Sequence, residues 1–138
     1  MTKVQAAKLY LKEWIDILQL QGFVIKMRLH KKLPHDSQSK TNGSHKVMII
    51  DITLDQPLSW IEWSIAHELS HIILDPTYRD FAGHAMQLGK KSYGRIMEQY
   101  NLSENEVIEH YLRVLYNIRG KEYPPHKYKG EDIEIGKA

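Results

Sequence analysis

The stretch SIAHELSHIILDP, residues 64–76, constrains the fold of this chain more than any other. The apolar residues in and around it recur at helical spacing, and they are Ile61, Ile65, Leu69, Ile72 and Ile73. Two histidines and a glutamate interrupt this apolar pattern, and burying their polar groups costs free energy unless partners satisfy them. The stretch therefore predicts a largely buried helix that carries a polar site.

The two histidines of this stretch have the spacing of a metal site. His67 and His71 are four residues apart, so a helix places them one turn apart on the same face. Two imidazoles in this arrangement can bind one ion, and Glu68 lies beside it, where it can accept a proton from a water molecule. The competing interpretation is a pair of core histidines satisfied by the backbone or by Glu68. We favour the metal site, because three polar side chains within five residues are costly to bury.

The HExxH motif resembles that of the zincin metallopeptidases, whose motif helix carries two zinc ligands and the catalytic glutamate. The chain length and the order of helix, strands, motif helix and second helix are similar to those of small ImmA/IrrE-type and phage-encoded zincins. The resemblance is strongest over residues 47–118. It implies zinc at His67 and His71, Glu68 as the general base, and hydrolysis of a protein or peptide. It also implies that an extended substrate binds along the edge of the strand VMIIDITL, residues 47–54.

A third zinc ligand is expected, because catalytic zinc sites use three protein ligands and keep one position open. The longer metzincin pattern is absent, since Leu74 and Thr77 stand where its glycine and third histidine would be. The later segment SENEVIEHYLR offers glutamates instead, and they are Glu104, Glu106 and Glu109.

Glu109 is the predicted third ligand. It borders the apolar face of its helix, whereas Glu106 lies on a polar face and can form a capping box with Ser103. The sequence also leaves Glu106, His84 and His110 open as the third ligand. The competing interpretation for Glu109 is an ordinary flank carboxylate paired with Arg113. An oxyanion-stabilising residue is left open among three tyrosines, Tyr78, Tyr93 and Tyr111.

The periodicity predicts an α+β, zincin-like fold with a small antiparallel sheet of two or three strands and three or more helices. Helices are predicted over residues 4–20, 59–74, 92–100 and 102–119, and strands over residues 23–30 and 47–54. Ser59 with Glu62 has the form of a capping box, and Pro76 should end the central helix at about Leu74. Residues 31–46, with a turn at Asn42-Gly43, and residues 77–91 are predicted loops. The domain is predicted to span residues 1–119, followed by a mobile tail over residues 120–138.

The composition limits which binding partners and which cellular compartment we expect for this protein. The 19 basic and 17 acidic residues nearly balance, so nucleic acid is not the expected partner, although a lysine-rich loop keeps it as a rival. The chain has no cysteine, no apolar run that could span a bilayer and no secretory signal pattern, which favours the cytoplasm.

The histidines outside the motif and outside the candidate third ligands are predicted to lie at the surface, and they are His30, His35, His45 and His126. A second functional hypothesis is a regulatory protein with a structural or vestigial zinc site. The oligomeric state and the identity of the substrate are left open.

Overall fold

A computed structural model describes residues 1–34, 37–42 and 46–124 of the chain. Within these ranges the elements in chain order are α1 (Lys3–Ile17), β1 (Val24–His30), β2 (Ser37–Asn42), β3 (Val47–Thr53), α2 (Leu58–Met86) and α3 (Lys90–Ile118). The α+β class is confirmed. The first helix ends earlier than predicted, because Gln19 adopts a left-handed φ of 55° that turns the chain towards β1.

The sheet is mixed, so the prediction of an antiparallel sheet is wrong. Its strand order is β1-β3-β2, with β1 parallel to β3 and β2 antiparallel to β3. The extra strand lies in the segment predicted as a loop. Its sequence SQSKTN is polar, and such a strand is tolerated at an edge, where backbone pairing supplies its hydrogen bonds. The predicted turn at Asn42-Gly43 lies partly outside the described residues, since Gly43 is not among them.

The strand β3 is central, which bears on the expected substrate edge. Both of its edges are occupied, by β1 and by β2, so VMIIDITL has no free edge. One face of β3 packs against the helices through three fully buried side chains, Met48, Ile50 and Ile52. Among the described strands, β1 and β2 each have one unpaired edge, and of these two β2 has the more extensive contact with α2.

The helix α2 continues through Pro76 to Met86, so the predicted end at Leu74 and the predicted loop over residues 77–91 are wrong. Proline inside a helix costs about 3 kcal/mol, because it removes a backbone hydrogen bond and crowds the preceding turn. Packing beyond the proline offsets this cost. The rings of Tyr78 and Phe81 lie 5.6 Å and 4.9 Å from the ring of Tyr100 on α3, centroid to centroid.

The helix α3 is continuous, so the two separate helices predicted for this region are wrong. No glycine or proline interrupts residues 95–118. Ser103 therefore lies inside a helix and caps none. The first predicted capping box is also absent: α2 begins at Leu58 without a side-chain cap, and Glu62 accepts a hydrogen bond of 2.9 Å from Trp14 Nε1 instead.

One hydrophobic cluster unites the three helices and the sheet. Its largest fully buried members are Trp14, Tyr116, Met48, Ile50, Ile52, Ile61, Ile65, Leu69, Ile108 and Leu112. The predicted tail is described only as far as Pro124. Within that part Tyr123 packs against the cluster and its hydroxyl accepts a hydrogen bond of 2.6 Å from Trp63 Nε1. The remainder of the predicted tail, residues 125–138, lies outside the described residues.

Candidate metal centre

The HExxH motif lies in the middle of α2, and its three polar side chains gather on one side of the helix. One ligand atom each from His67, Glu68 and His71 lies within 4.8 Å of the others. The two imidazole rings are 5.0 Å apart and nearly perpendicular. The helical spacing read from the sequence therefore brings these three predicted site residues together.

Glu68 is buried and is held from the edge strand. Its Oε2 accepts a hydrogen bond of 2.7 Å from Ser37 Oγ on β2. Ser37 pairs with Ile52 in the sheet register, so it stands on the face of the sheet that meets α2. The strand that the sequence did not reveal thus positions the predicted catalytic base.

His71 meets a carboxylate from α3. Its Nδ1 lies 2.5 Å from Glu104 Oε1, and Glu104 is only 8% exposed. Glu104 shares the buried face of α3 with Ile108, Leu112 and Tyr116, each four residues further along the helix. A glutamate at the head of such a row must point inward, which explains why it reaches the motif helix.

His67 is packed beside an aromatic ring. The Trp63 ring stacks on it at 4.6 Å. Burial, with a smaller contribution from the nearby His71, lowers the pKa of His67 to about 4. The imidazole is therefore neutral near pH 7, which is the form that binds a metal ion.

An open cavity of about 290 Å³ adjoins the His71 side of this cluster. It is lined by Ser39, His71, Asp75, Tyr78, Asn101 and Glu104. Of the three tyrosines considered as oxyanion stabilisers, Tyr78 borders this cavity, whereas Tyr111 borders a different groove on α3. Ser39, like Ser37, comes from β2, so the edge strand runs past both the base and the cavity.

The structure does not bring Glu109 to the motif. Its side chain is 38% exposed and pairs with Arg113 at 3.0 Å, which is the flank ion pair that competes with a ligand role for this residue. Glu106 and His110 are exposed and border the groove on α3. His84 lies within 2.9 Å of the carbonyl oxygen of Asp80, near the end of α2.

The residues present fit a zinc ion. The cluster offers imidazole nitrogens and carboxylate oxygens, which are ligands that zinc takes in proteins. Among the described residues, His67 Nδ1 and Glu104 Oε2 are buried polar atoms that make no hydrogen bond of normal geometry, although the Asn105 side chain lies close to His67 and the Tyr100 hydroxyl lies close to Glu104. Such atoms are rare in folded proteins unless a ligand, ion or water satisfies them. Glu104 is not one of the three residues whose ligand atoms lie within 4.8 Å of one another. It contacts this group through His71.

Sequence reasoning offered Glu104 among three glutamates without choosing it, and it did not find Ser37. The predicted helix begins near Leu102, which puts Glu104 in a first turn, whereas the structure puts it on a buried face of a longer helix. Its spacing to Ile108, Leu112 and Tyr116 is a signal that could have found it. No sequence pattern points to Ser37, because its role depends on a strand pairing that the polar sequence does not predict.

Comparison of the chain with protein-family models, with curated proteins and with solved structures finds no match. In the part of the chain that the structure describes, none of the helices has the length and apolar character needed to cross a bilayer.

Proposed function

We propose that this protein is a zinc-dependent metallopeptidase of the zincin type, in which His67, His71 and Glu104 hold the metal and Glu68 is the general base. The observation that carries the proposal is the convergence of the motif with a buried carboxylate from another helix. His67, Glu68 and His71 gather within 4.8 Å, and Glu104 lies 2.5 Å from His71. Two histidines and a glutamate from a second helix are a known ligand set of catalytic zinc.

The choice of Glu104 as third ligand replaces the expectation for Glu109. Glu104 is buried and its Oε2 makes no hydrogen bond of normal geometry among the described residues, so a cation would satisfy it. Glu109 is partly exposed and already paired with Arg113, and an exposed pair of this kind requires no metal.

A bound zinc ion would supply Lewis acidity, polarising a peptide carbonyl and lowering the pKa of a water molecule. Glu68 would accept the proton of that water at a carboxylate oxygen and deliver it to the departing amine. The bond from Ser37 occupies Oε2 and leaves Oε1 for this transfer. His67, neutral near pH 7, keeps a nitrogen lone pair for the ion.

The proposed substrate is an extended protein or peptide segment that pairs with the edge of β2. Backbone pairing with an exposed edge strand is a general way to bind extended peptides. Two side chains of β2 support this placement, since Ser37 contacts the base and Ser39 lines the cavity beside His71. The cytoplasm is the proposed compartment, and it rests on the sequence features alone.

One observation favours the second candidate, a regulatory protein whose zinc site is structural or vestigial. Glu68 is buried and one of its oxygens is already bonded to Ser37, which is also what a glutamate without a catalytic role would show. The two candidates differ in hydrolysis and agree on metal binding.

The test measures zinc content and peptide cleavage of the purified full chain. The metallopeptidase requires about one zinc per chain, loss of zinc in His67→Ala and His71→Ala, and cleavage of an unstructured protein substrate. Glu68→Gln should keep the zinc and reduce cleavage at least 100-fold, because it removes only the base. Glu106→Gln is the matched control, since it makes the same chemical change at an exposed position.

Each failure has a distinct meaning. Zinc without cleavage in the unaltered chain would favour the regulatory candidate. Full zinc occupancy in both histidine variants would refute the metal site, and loss of zinc in Glu68→Gln would make Glu68 a ligand rather than a base.

A further inference from the structure

The side chain of His67 is oriented mainly by a ring that stacks on it. Among the described residues its Nδ1 makes no hydrogen bond of normal geometry, although the Asn105 side chain lies close by. A histidine that binds a metal ion is usually held by a hydrogen bond that its second nitrogen donates. Here the Trp63 indole lies against the imidazole instead, at 4.6 Å between centroids and 26° between planes. The position of Trp63 therefore bears directly on the orientation of His67.

Trp63 is itself held by a residue near the end of the described chain. Its Nε1 donates a hydrogen bond of 2.6 Å to the hydroxyl oxygen of Tyr123, which lies 60 residues further on. The indole has one N–H and no other polar group, so this bond is the polar contact that fixes its rotation. The Trp60 ring also packs against it, at 5.1 Å between centroids. Without the bond to Tyr123 the indole would be held by packing alone.

Tyr123 has contacts of its own with α3, which fix it independently of the candidate site. Its ring packs at 77° to that of Tyr116, with the centroids 5.2 Å apart. The Arg113 guanidinium lies over its face, 4.4 Å from the ring centroid, where the π electrons attract a cation. Both partners belong to α3, so Tyr123 links this helix to Trp63 on α2.

Ion pairs fasten the segment that carries Tyr123 to the other two helices. Arg119 and Lys121 both pair with Glu13 on α1. Lys121 Nζ also lies 2.9 Å from Glu62 Oε2 on α2, and Glu62 is buried. A buried carboxylate requires such partners, so residues 119–123 have a defined path along the helices. This path brings the Tyr123 hydroxyl to the indole.

We propose that Tyr123 is a positioning residue of the candidate metal centre and acts on His67 through Trp63. The inference rests on the proposed zinc site and goes beyond its ligand set. The tyrosine hydroxyl fixes the indole, and the indole fixes the plane of the imidazole that binds the ion. A ligand held in its bound orientation binds more tightly, because less freedom is lost on binding. Metal affinity thus depends on a residue that is not itself a ligand.

Zinc affinities of full-chain variants, measured by competition with a chelator, test this proposal. Tyr123→Phe should lower the affinity about threefold to tenfold, because it removes one neutral hydrogen bond and keeps the ring. Tyr116→Phe is the matched control and should leave the affinity unchanged. It removes a buried hydroxyl that bonds to no described residue, from a ring that packs beside Tyr123. Thermal unfolding of the metal-free variants verifies that each one folds.

A double variant identifies the path through the indole. Trp63→Phe keeps a ring that can stack on His67 but has no N–H to donate. If Tyr123 acts through this N–H, adding Tyr123→Phe to Trp63→Phe should change the zinc affinity no further. Cobalt(II) in the site provides a second readout, since its visible absorption depends on coordination geometry. The absorption should shift in Tyr123→Phe and stay unchanged in Tyr116→Phe, which a mere loss of stability would not produce.

The outcomes separate this inference from the zinc site on which it rests. If Tyr123→Phe matched Tyr116→Phe in zinc affinity and cobalt absorption, the positioning role would be refuted and the zinc site would stand. Additive effects of Tyr123→Phe and Trp63→Phe would overturn the path through the indole. An unaltered chain that binds neither ion would refute the zinc site and this inference with it.

Discussion

His71 Nδ1 and Glu104 Oε1 lie 2.5 Å apart although 33 residues separate them in the chain. The contact joins α2, which carries the motif, to the helix that follows it, α3. A buried imidazole–carboxylate pair of this kind fixes the ring orientation of a histidine in metal sites. Metal affinity is therefore expected to depend on the packing of α2 against α3 and not on the motif alone.

The first prediction concerns the third ligand. Glu104→Ala should lower zinc affinity about 100-fold or more, because it removes a carboxylate that either binds the ion or orients its histidine. Glu109→Ala should change zinc affinity little and cost about 0.3–0.5 kcal/mol of stability, the worth of an exposed helical ion pair. Competition with a chromophoric zinc chelator measures both affinities.

Glu104→Gln serves as the control for this prediction. The amide can still bond to His71 but is a poor metal ligand, so it separates orientation from ligation. If Glu109→Ala weakened zinc binding and Glu104→Ala did not, Glu109 would be the third ligand, as the sequence pattern predicts.

The second prediction concerns Ser37. Ser37→Ala removes the hydrogen bond to the Glu68 carboxylate at Oε2 and should slow peptide cleavage roughly tenfold or more while leaving zinc content unchanged, since a hydrogen bond to a charged group contributes about 1.5–3 kcal/mol. Steady-state kinetics and metal analysis of the same preparations provide the readout. Ser59→Ala, at an exposed position of α2, is the control. An unchanged rate would mean that Glu68 needs no support from β2.

The third prediction concerns acid stability. On β3 the buried Asp51 accepts hydrogen bonds of 2.7 Å and 2.9 Å from Arg28 and lies 2.8 Å from His30 Nε2. These contacts, that with Arg28 above all, hold the pKa of Asp51 well below its ordinary value. A lowered folded-state pKa contributes stability above the unfolded value of about 3.9, and this contribution is lost as pH falls below that value.

Asp51→Asn should therefore reduce the free energy of unfolding at pH 7 by about 1–3 kcal/mol. The difference from the unaltered chain should shrink as the pH falls below about 4. Denaturant titrations at several pH values measure it, with the exposed Asp55→Asn as control. A difference that stays constant across this range would show that charge at Asp51 is not the source of the stability.

The fourth prediction concerns the proline inside α2. Pro76→Ala should raise the free energy of unfolding by up to about 3 kcal/mol, because alanine restores a backbone donor and relieves crowding. Thr77→Ala, at the next exposed position, controls for helix propensity. Thermal unfolding reports the change. A neutral or destabilising result would favour a helix that ends before Pro76, as the sequence pattern predicts.

The features that depend on local spacing could be read from the sequence. The α+β class, the existence of α1, β1 and β3, and the helical gathering of His67, Glu68 and His71 all follow from periodicity within short windows. The resemblance to zincins, the zinc ion and peptide hydrolysis stay predictions.

The features that depend on long-range packing could not be read in this way. Pro76 breaks a helix in isolation, yet aromatic packing across the hairpin of α2 and α3 carries the helix past it. The polar segment β2 forms a strand because it pairs with β3. Ser103 and Glu106 have the spacing of a capping box, which predicts a helix start close to Glu104. In the structure both residues lie inside a continuous helix. In each case a local rule was outweighed by contacts with distant residues.

The stacking of Trp63 on His67 gives the candidate site its own optical signal. The ring centroids are 4.6 Å apart, so an ion bound by this histidine would change the surroundings of an indole that is only partly buried. The chain has three tryptophans, and Trp14 is sealed in the core. With Trp60 replaced by phenylalanine, the emission that responds to added metal would come from Trp63, and occupancy could be followed in real time without a label.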